Sequence, residues 1–381
     1  MSIVIFIVIL LVLVLVHEAG HFFAAKKFGI RVDEFGFGFP PKLFGFKKGE
    51  TEYTFNLLPL GGFVKIFGEN FEEADFVEVG FLDKDKDSKK NDFSRSFVAK
   101  PKWQQAIVLF AGVFMNFVLA WVLFSIGFMS GLPTSVGNEP AGYKLQDVNL
   151  VVLSVLENSP AASAGLKTGD KVVSVTHGHP KEVVHTITDI NPETLKAFVL
   201  EHGDEEIEIG YIRGKSNEIN IAKITPKETN GDPAIGISMD MIGTAKLSFF
   251  KAISEGFKLT LFMTKNTAIG LYTLISGAIT GKGDLSEVTG PVGIVNIVGD
   301  AYKFGFTYLL SFAALISINL AIINIIPFPA LDGGRLFFLL IEKIKGSRIN
   351  PKIANTANMI GFSLLIIFML VITYHDVVKL F

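Results

Sequence analysis

His17-Glu18-Ala19-Gly20-His21 sets two imidazoles four positions apart with a carboxylate between them. On a helix, residues i and i+4 lie about 40° apart around the axis, so both rings can hold one divalent cation while the glutamate stands beside it. Residues 3–16, just before the motif, are all aliphatic or aromatic, which places it on a membrane-spanning helix. At about 1.5 Å per residue from Ser2, His17 lies roughly 22 Å deep in a hydrocarbon core of roughly 30 Å. Ionisable side chains there cost about 2.5–3.5 kcal/mol each on the most lenient insertion scale, so the group needs a compensating partner, and zinc supplies one. The chain has no cysteine, which removes disulfides, thiolate nucleophiles and Cys-based zinc sites. Any metal is held by His, Asp or Glu.

The elements that position this motif are apolar segments. Four stretches are long enough to span, at about residues 2–24, 104–131, 306–330 and 358–378. The first has no basic stretch before it and no small-residue cleavage site, so it reads as a retained span. Lys26, Lys27, Arg31, Arg95, Lys100 and Lys102 flank the loop between spans one and two, and Arg335, Lys343, Lys345, Arg348 and Lys352 fill the loop between spans three and four. The positive-inside rule makes both loops cytoplasmic and puts the N-terminus, residues 132–305 and Phe381 outside. Mean hydropathy is +0.45, with 49% hydrophobic and 19% charged residues, as expected of very apolar segments alternating with ordinary polar ones. The net charge of -2 offers no basic surface, and no Lys/Arg stripe with interleaved aromatics appears, which argues against nucleic-acid binding.

His21 lies near the cytoplasmic end of span one, so a third ligand must come from similar depth on another span. Span three reaches that side at Asn324-Ile-Ile-Pro327-Phe-Pro329-Ala-Leu331-Asp332-Gly333-Gly334-Arg335, where Asp332 is the acidic residue on offer. A His17, His21, Asp332 set leaves a fourth tetrahedral position for water, as in catalytic zinc sites, with Glu18 placed as the base of a peptide hydrolysis. Pro327 and Pro329 interrupt the helix, and Gly333 and Gly334 permit tight turns. Broken backbone at membrane depth is tolerated against protein or a wet cavity, so this stretch is expected to line the site. Asn324 is read either as holding a carbonyl of the substrate or broken helix, or as a helix–helix hydrogen bond.

These residues give the chain its resemblance to a family. His17-Glu18-x-x-His21 on the first span, Asn324-x-x-Pro327-x-Pro329-x-Leu331-Asp332-Gly333 on the third, and a soluble insert between spans two and three resemble the site-2 protease family of intramembrane zinc metalloproteases, in its bacterial regulator-of-sigma-E branch. The resemblance covers essentially the whole chain. It implies Zn2+ at His17, His21 and Asp332, Glu18 as catalytic base, and location in the bacterial inner membrane. The implied substrates are single-pass membrane proteins such as trimmed anti-sigma factors or remnant signal peptides. Residues 51–67 alternate weakly about Gly61-Gly62 and read as a β-hairpin. Relatives have a membrane-reentrant hairpin here, whose edge would pair an unwound substrate strand, which makes Gly61 and Gly62 candidate substrate-positioning residues. Gly290-Pro291-Val292-Gly293-Ile294 also resembles a family segment.

Residues 147–243 lose the membrane signature. Strands are expected at 151–156, 171–175, 206–213 and 218–224, a short helix at 159–166 and a second helix from Pro192 to about Glu201 with Asn191 as its cap. The pattern resembles one circularly permuted PDZ domain, which would bind an extended peptide end by strand addition outside the cytoplasm. Residues 246–300 carry an amphipathic membrane-surface segment, with Phe249, Phe250, Ile253, Phe257, Leu261 and Phe262 spaced among lysines. The expected fold is therefore a multi-pass α-helical membrane protein with an inserted β-rich PDZ-like domain. Its parts are 1–131 with two spans and a cytoplasmic hairpin loop, 147–243, 246–300, and 306–381 with the last two spans.

Bland readings sit beside these. For the histidine pair the alternative is simple packing between helices, against which Glu18 and Asp332 together argue. His177, His179, His185 and His202 lie in the outer module, out of reach of the buried centre, and the mixed-charge run 83–92 reads as a solvated loop. Two other functions compete with proteolysis. A membrane adaptor would use the PDZ-like domain alone, and a zinc transporter would need a ligand relay that spans two and four, read as lacking buried carboxylates, do not supply.

Overall fold

A computed structural model describes residues 1–69, 93–177, 185–186, 190–214, 218–229, 231–281 and 289–378. The charged run 83–92, His179, residues 215–217 and Phe381 lie outside the described residues. Contacts divide the chain into two units, one of Met1–Phe124, Gly256–Gly299 and Phe312–Phe381, the other of Ser125–Glu255 and Asp300–Ser311.

In the first unit, α1 (Ser2–Lys27) is apolar all round, yet its buried residues Leu13, His17, Gly20, His21 and Ala25 fall on one helical stripe. Ile3, Val4, Val8 and Val12 point away from protein, as a lipid-facing side does. A hairpin follows, β1 (Val32–Lys48) and β2 (Thr51–Ile66), turning at Gly49 with φ of 66°. The turn is therefore not at Gly61-Gly62, which sit inside β2. Both glycines sit at close approaches: a Cβ on Gly61 would stand 2.7 Å from the Phe39 ring, and one on Gly62 would stand 3.0 Å from the Gly36 carbonyl oxygen. The sheet also doubles back, because Phe35 pairs with both Tyr53 and Val64, and Gly36 with both Thr54 and Phe63. Residues 62–66 thus form an edge of this sheet. Ala25, Ile30, Val32, Ile66, Phe97, Val108 and Leu109 pack the hairpin base against α1 and α2 (Lys102–Ser130).

The second unit holds the β-rich module. After β3 (Leu132–Ser135) and β4 (Gln146–Val155) come α3 (Pro160–Ser163), β5 (Lys171–His177) and the short β6 (His185–Thr186). Next are α4 (Pro192–Glu201), β7 (Ile207–Ile212), β8 (Ile219–Ile224), the small pair β9 (Lys227–Thr229) and β10 (Asp232–Ala234), and β11 (Ile237–Ala245). The main sheet runs β3-β11-β4-β5-β7-β8 with β6 on β5. Its core is built from Leu150 and Val152, Ile207 and Ile209, and Ala222 and Ile224 at alternate positions, and from Val172 and Val175 on either side of a register shift, packed with Leu195, Phe198 and Val199 of α4. The expected Asn191 cap is a full capping box with Thr194, and Pro192 opens the helix.

The remaining helices are α5 (Phe249–Ile279), α6 (Pro291–Phe304), α7 (Phe306–Ile325), α8 (Asp332–Lys345) and α9 (Pro351–Val378). By length and composition α1, α2, α7 and α9 are able to cross a membrane, so the protein combines several membrane-spanning helices with a separate β-sheet region. The amphipathic segment is one continuous helix, α5, whose Leu259, Met263 and Leu271 join the cluster of Ala120, Phe124, Ala314, Ile318 and Ile322.

Span four does carry a buried carboxylate, contrary to the sequence expectation. Asp376 is 6% exposed and accepts hydrogen bonds from the Gly290 N–H at 3.1 Å and the Gly293 N–H at 2.8 Å. It caps the start of α6 rather than forming a relay, and this explains the Gly290-Pro291-Val292-Gly293 segment: a Cβ on Gly290 would stand 2.5 Å from Ile372 Cγ2. Leaving those donors unpaired costs about 1–3 kcal/mol. Asp376→Ala is therefore expected to lower unfolding stability in detergent by about 2 kcal/mol, and Asp376→Asn, which keeps an acceptor, by less than half of that.

Candidate metal centre

The centre begins with a close helix crossing. Gly20 of α1 meets α2 backbone to backbone, since a Cβ on it would stand 2.3 Å from the Ala111 carbonyl oxygen and 2.9 Å from Gly112 Cα. Small residues let membrane helices approach this way. Gly112 in turn sits under the two imidazoles, where a Cβ would stand 2.3 Å from His21 Nε2 and 2.8 Å from His17 Cε1.

The crossing also sets the ring orientations. The His21 Nδ1–H donates to the Val108 carbonyl at 2.8 Å, so the neutral ring presents its Nε2 lone pair to the centre. His17 Nδ1 lies 3.4 Å from the amide nitrogen of Asn116, a fully buried residue whose Oδ1 has no hydrogen-bond partner among the described residues. Rotating that amide by half a turn brings Oδ1 to the ring N–H, the same support that Val108 gives His21. Ser317 Oγ donates to the Asn116 carbonyl at 2.8 Å and ties α7 to this part of α2.

Asp332 arrives from the break between α7 and α8. Pro327 and Pro329 supply no N–H, and Ala330 takes a left-handed φ of 77° while its N–H donates to Asn358 Oδ1 of α9 at 3.2 Å. Glycine is obligatory just after Asp332, because a Cβ on Gly333 would stand 2.2 Å from the Ile326 oxygen and one on Gly334 would stand 2.2 Å from the Phe328 oxygen. Pro329 is wedged on α9, where its oxygen would lie 2.5 Å from a Cβ on Gly361.

The three ligand atoms converge. His17 Nε2 and Asp332 Oδ2 are 3.0 Å apart, His21 Nε2 and Asp332 Oδ2 3.3 Å, and the two Nε2 atoms 3.2 Å. Ligands about 2.0–2.1 Å from a tetrahedral zinc lie roughly 3.3 Å from one another, so these edges fit one face of a zinc tetrahedron. A buried carboxylate oxygen and two imidazole lone pairs so close together call for a cation.

Beside them lies a cavity of about 670 Å³ lined by Glu18, His21, Phe63, Val64, Lys65, Ile66, Glu69, Ala330, Asp332, Arg335, Asn358, Met359 and Phe362. Arg335 is paired with Glu69 on its wall. Of the residues singled out in the sequence, His17, His21 and Asp332 come together and Glu18 faces the same cavity. Asn324, Pro327, Pro329, Gly61 and Gly62 are not among its lining residues. Sequence reasoning missed Gly112, Asn116 and Asn358. Asn116 did leave a signal: it is the one amide in the apolar run 106–124, and polar side chains at that depth usually mark a site.

A two-histidine, one-aspartate centre sunk in a helical membrane domain and opening on a cleft defines a membrane-embedded metallohydrolase. The model of Peptidase family M50 matches residues 5–368, and the chain belongs to that family. The regulator of sigma-W protease RasP of Bacillus subtilis is 33% identical over 445 residues, covering 100% of this chain and 99% of that protein. The zinc metalloprotease RasP of Geobacillus kaustophilus is 32% identical over 446 residues, with coverage of 100% and 98%. A candidate zinc metalloprotease of Clostridium perfringens is 36% identical over 367 residues, with coverage of 96% and 95%. Among solved structures, the PDZ domain of an SdrC-like protein from Listeria monocytogenes aligns with 26% of this chain and 93% of its own, at 23% identity and a TM-score of 0.19. The chain is an intramembrane zinc metalloprotease, and the His17, His21 and Asp332 cluster supplies the ligand set for its zinc.

Two substitutions test the supporting residues. Gly112→Ala is expected to cut bound zinc at least tenfold in metal analysis of purified protein, because its methyl would displace His21. Gly270→Ala, whose Cβ would meet nothing within 4 Å, leaves zinc unchanged. Asn116→Ala weakens zinc by about 10–100-fold in chelator competition, the usual effect of losing a ligand's hydrogen-bond partner.

Proposed function

We propose that this protease cleaves the membrane-spanning segments of single-pass proteins in a bacterial inner membrane, with Glu18 as its general base and acid. The convergence of His17, His21 and Asp332 beside a cleft that Glu18 lines carries the reading. Zinc bound there supplies Lewis acidity and lowers the pKa of a water toward about 7. Glu18 accepts a proton from the attacking water and passes it to the departing amine nitrogen, as it is one residue from a ligand and open to the cavity.

Strand addition fits the cleft wall. A helical segment hides its peptide bonds, and residues 63–66 present a sheet edge to the cavity on which an unwound segment can pair. In this reading Gly61 and Gly62 let the edge strand pass close to its neighbours. Pro327 and Pro329 hold the broken helix that carries Asp332, and Asn324, near the end of α7, is read as holding a carbonyl of the substrate or of that break.

The β-rich module is read as the PDZ-like domain over 147–243, facing outside the cytoplasm and taking an extended peptide end. Supporting this are its antiparallel sheet, the helices α3 and α4 packed on one face, and the basic residues that flank the other loops. The membrane core then comprises 1–131 and 306–381, with 246–300 as the membrane-surface segment.

The decisive test is Glu18→Gln in proteoliposomes with a single-span substrate. Cleavage is expected to fall by about 10²–10⁴-fold while bound zinc is unchanged. Equal turnover by the variant would remove Glu18 from the chemistry.

A further inference from the structure

A second group of ligating side chains lies within the β-rich module. His177 ends β5, His202 caps the C-terminus of α4, and Glu205 sits in the turn leading to β7. One donor atom from each lies within 4.8 Å of the other two. His177 Nε2 and Glu205 Oε2 are 3.1 Å apart, close to the roughly 3.3 Å between neighbouring ligands of a tetrahedral zinc.

Both rings are held as ligating imidazoles are. The His177 Nδ1–H donates to the Glu206 carbonyl at 3.1 Å, and the His202 Nδ1–H donates to the Phe198 carbonyl at 2.9 Å. Protonation at Nδ1 makes Nε2 the donor atom each ring offers to a metal, and the backbone acceptors fix the ring planes. The two ring centroids are 4.6 Å apart with the planes tilted by 46°. His202 is further locked by stacking on Phe198 at 4.2 Å and is 7% exposed. Glu205, at 56%, is open to solvent, so an ion has an entry path and room for a water ligand.

We propose that His177, His202 and Glu205 form a second metal site, separate from the protease centre, for a borderline divalent cation of the Zn2+ type. Two imidazoles and one carboxylate without thiolates suit Zn2+, Ni2+ or Cu2+ and disfavour Ca2+ and Mg2+, which take oxygen ligands. The ion joins the end of β5 to the turn after α4 and clamps that helix on the sheet. The module is thereby stabilised in proportion to the free ion present.

The test uses the full chain, purified in detergent, stripped with a chelator and equilibrated with Zn2+ alone. Wild-type protein is expected to hold two equivalents, and His17→Ala/Asp332→Ala protein one. Glu205→Gln alters an exposed side chain and His177→Gln alters a strand end. Each is expected to weaken the second equivalent at least tenfold, with the first equivalent and substrate cleavage unchanged. Zn2+ should also raise the unfolding midpoint of the doubly substituted protein, and Mg2+ should not. A single equivalent in the wild-type chain, or a second that neither Glu205→Gln nor His177→Gln weakens, overturns the proposal and leaves an ordinary imidazole–carboxylate hydrogen bond.

Discussion

Close approach of α1 and α2 at Gly20 and Gly112 is the constraint on which the metal centre depends. Without a Cβ at either position, the α2 backbone comes near enough for the Val108 carbonyl to accept from His21 and for Asn116 to reach His17. Those contacts choose which ring nitrogen faces inward. Two imidazoles on one helix face would otherwise be two costly polar groups in an apolar span. Helix packing turns them into half of a coordination shell.

The other half depends on a helix being broken at the right place. The prolines at 327 and 329 end α7, Ala330 accepts a left-handed conformation, and Gly333 and Gly334 let α8 start directly under the preceding carbonyls. Asn358 and Gly361 of α9 hold the break from outside. Irregular backbone at this depth persists because protein surrounds it on that side and a cavity borders it on the other. The same cavity brings a sheet edge beside the ligands, so the place where helical order fails is also where an extended chain has somewhere to pair.

Several features were legible in the sequence for stated reasons. The four spans appear within a few residues of their predicted limits, except that α7 stops at Ile325 and α9 starts at Pro351, because proline ends one helix and opens the other. The strands of the module lie near their expected positions as short runs rich in Val and Ile, and Asn191-Pro192 marks the start of α4. The doubled-back hairpin was not legible. Phe-Gly-Phe-Gly-Phe-Pro-Pro at 35–41 carries turn-forming residues within what is a strand, and Gly61-Gly62 looks like a turn but serves close packing. Asp376 was overlooked because its partners are backbone N–H groups 83 and 86 positions away.

The residue types and spacings alone determined that histidines and a glutamate share one face of a membrane helix, that an aspartate at similar depth was available on another span, and that a soluble module interrupts the spans. Those are properties of local periodicity and hydropathy, which do not need the rest of the chain. Tertiary structure alone decided the 3.0–3.3 Å convergence of His17, His21 and Asp332, the tautomers that Val108 and Asn116 support, and the cleft edge at residues 63–66. It also decided the meeting of His177 with His202 and Glu205. Each of these is a contact between segments far apart in the chain, set by how closely backbones pack, and such distances have no periodic signature along the sequence.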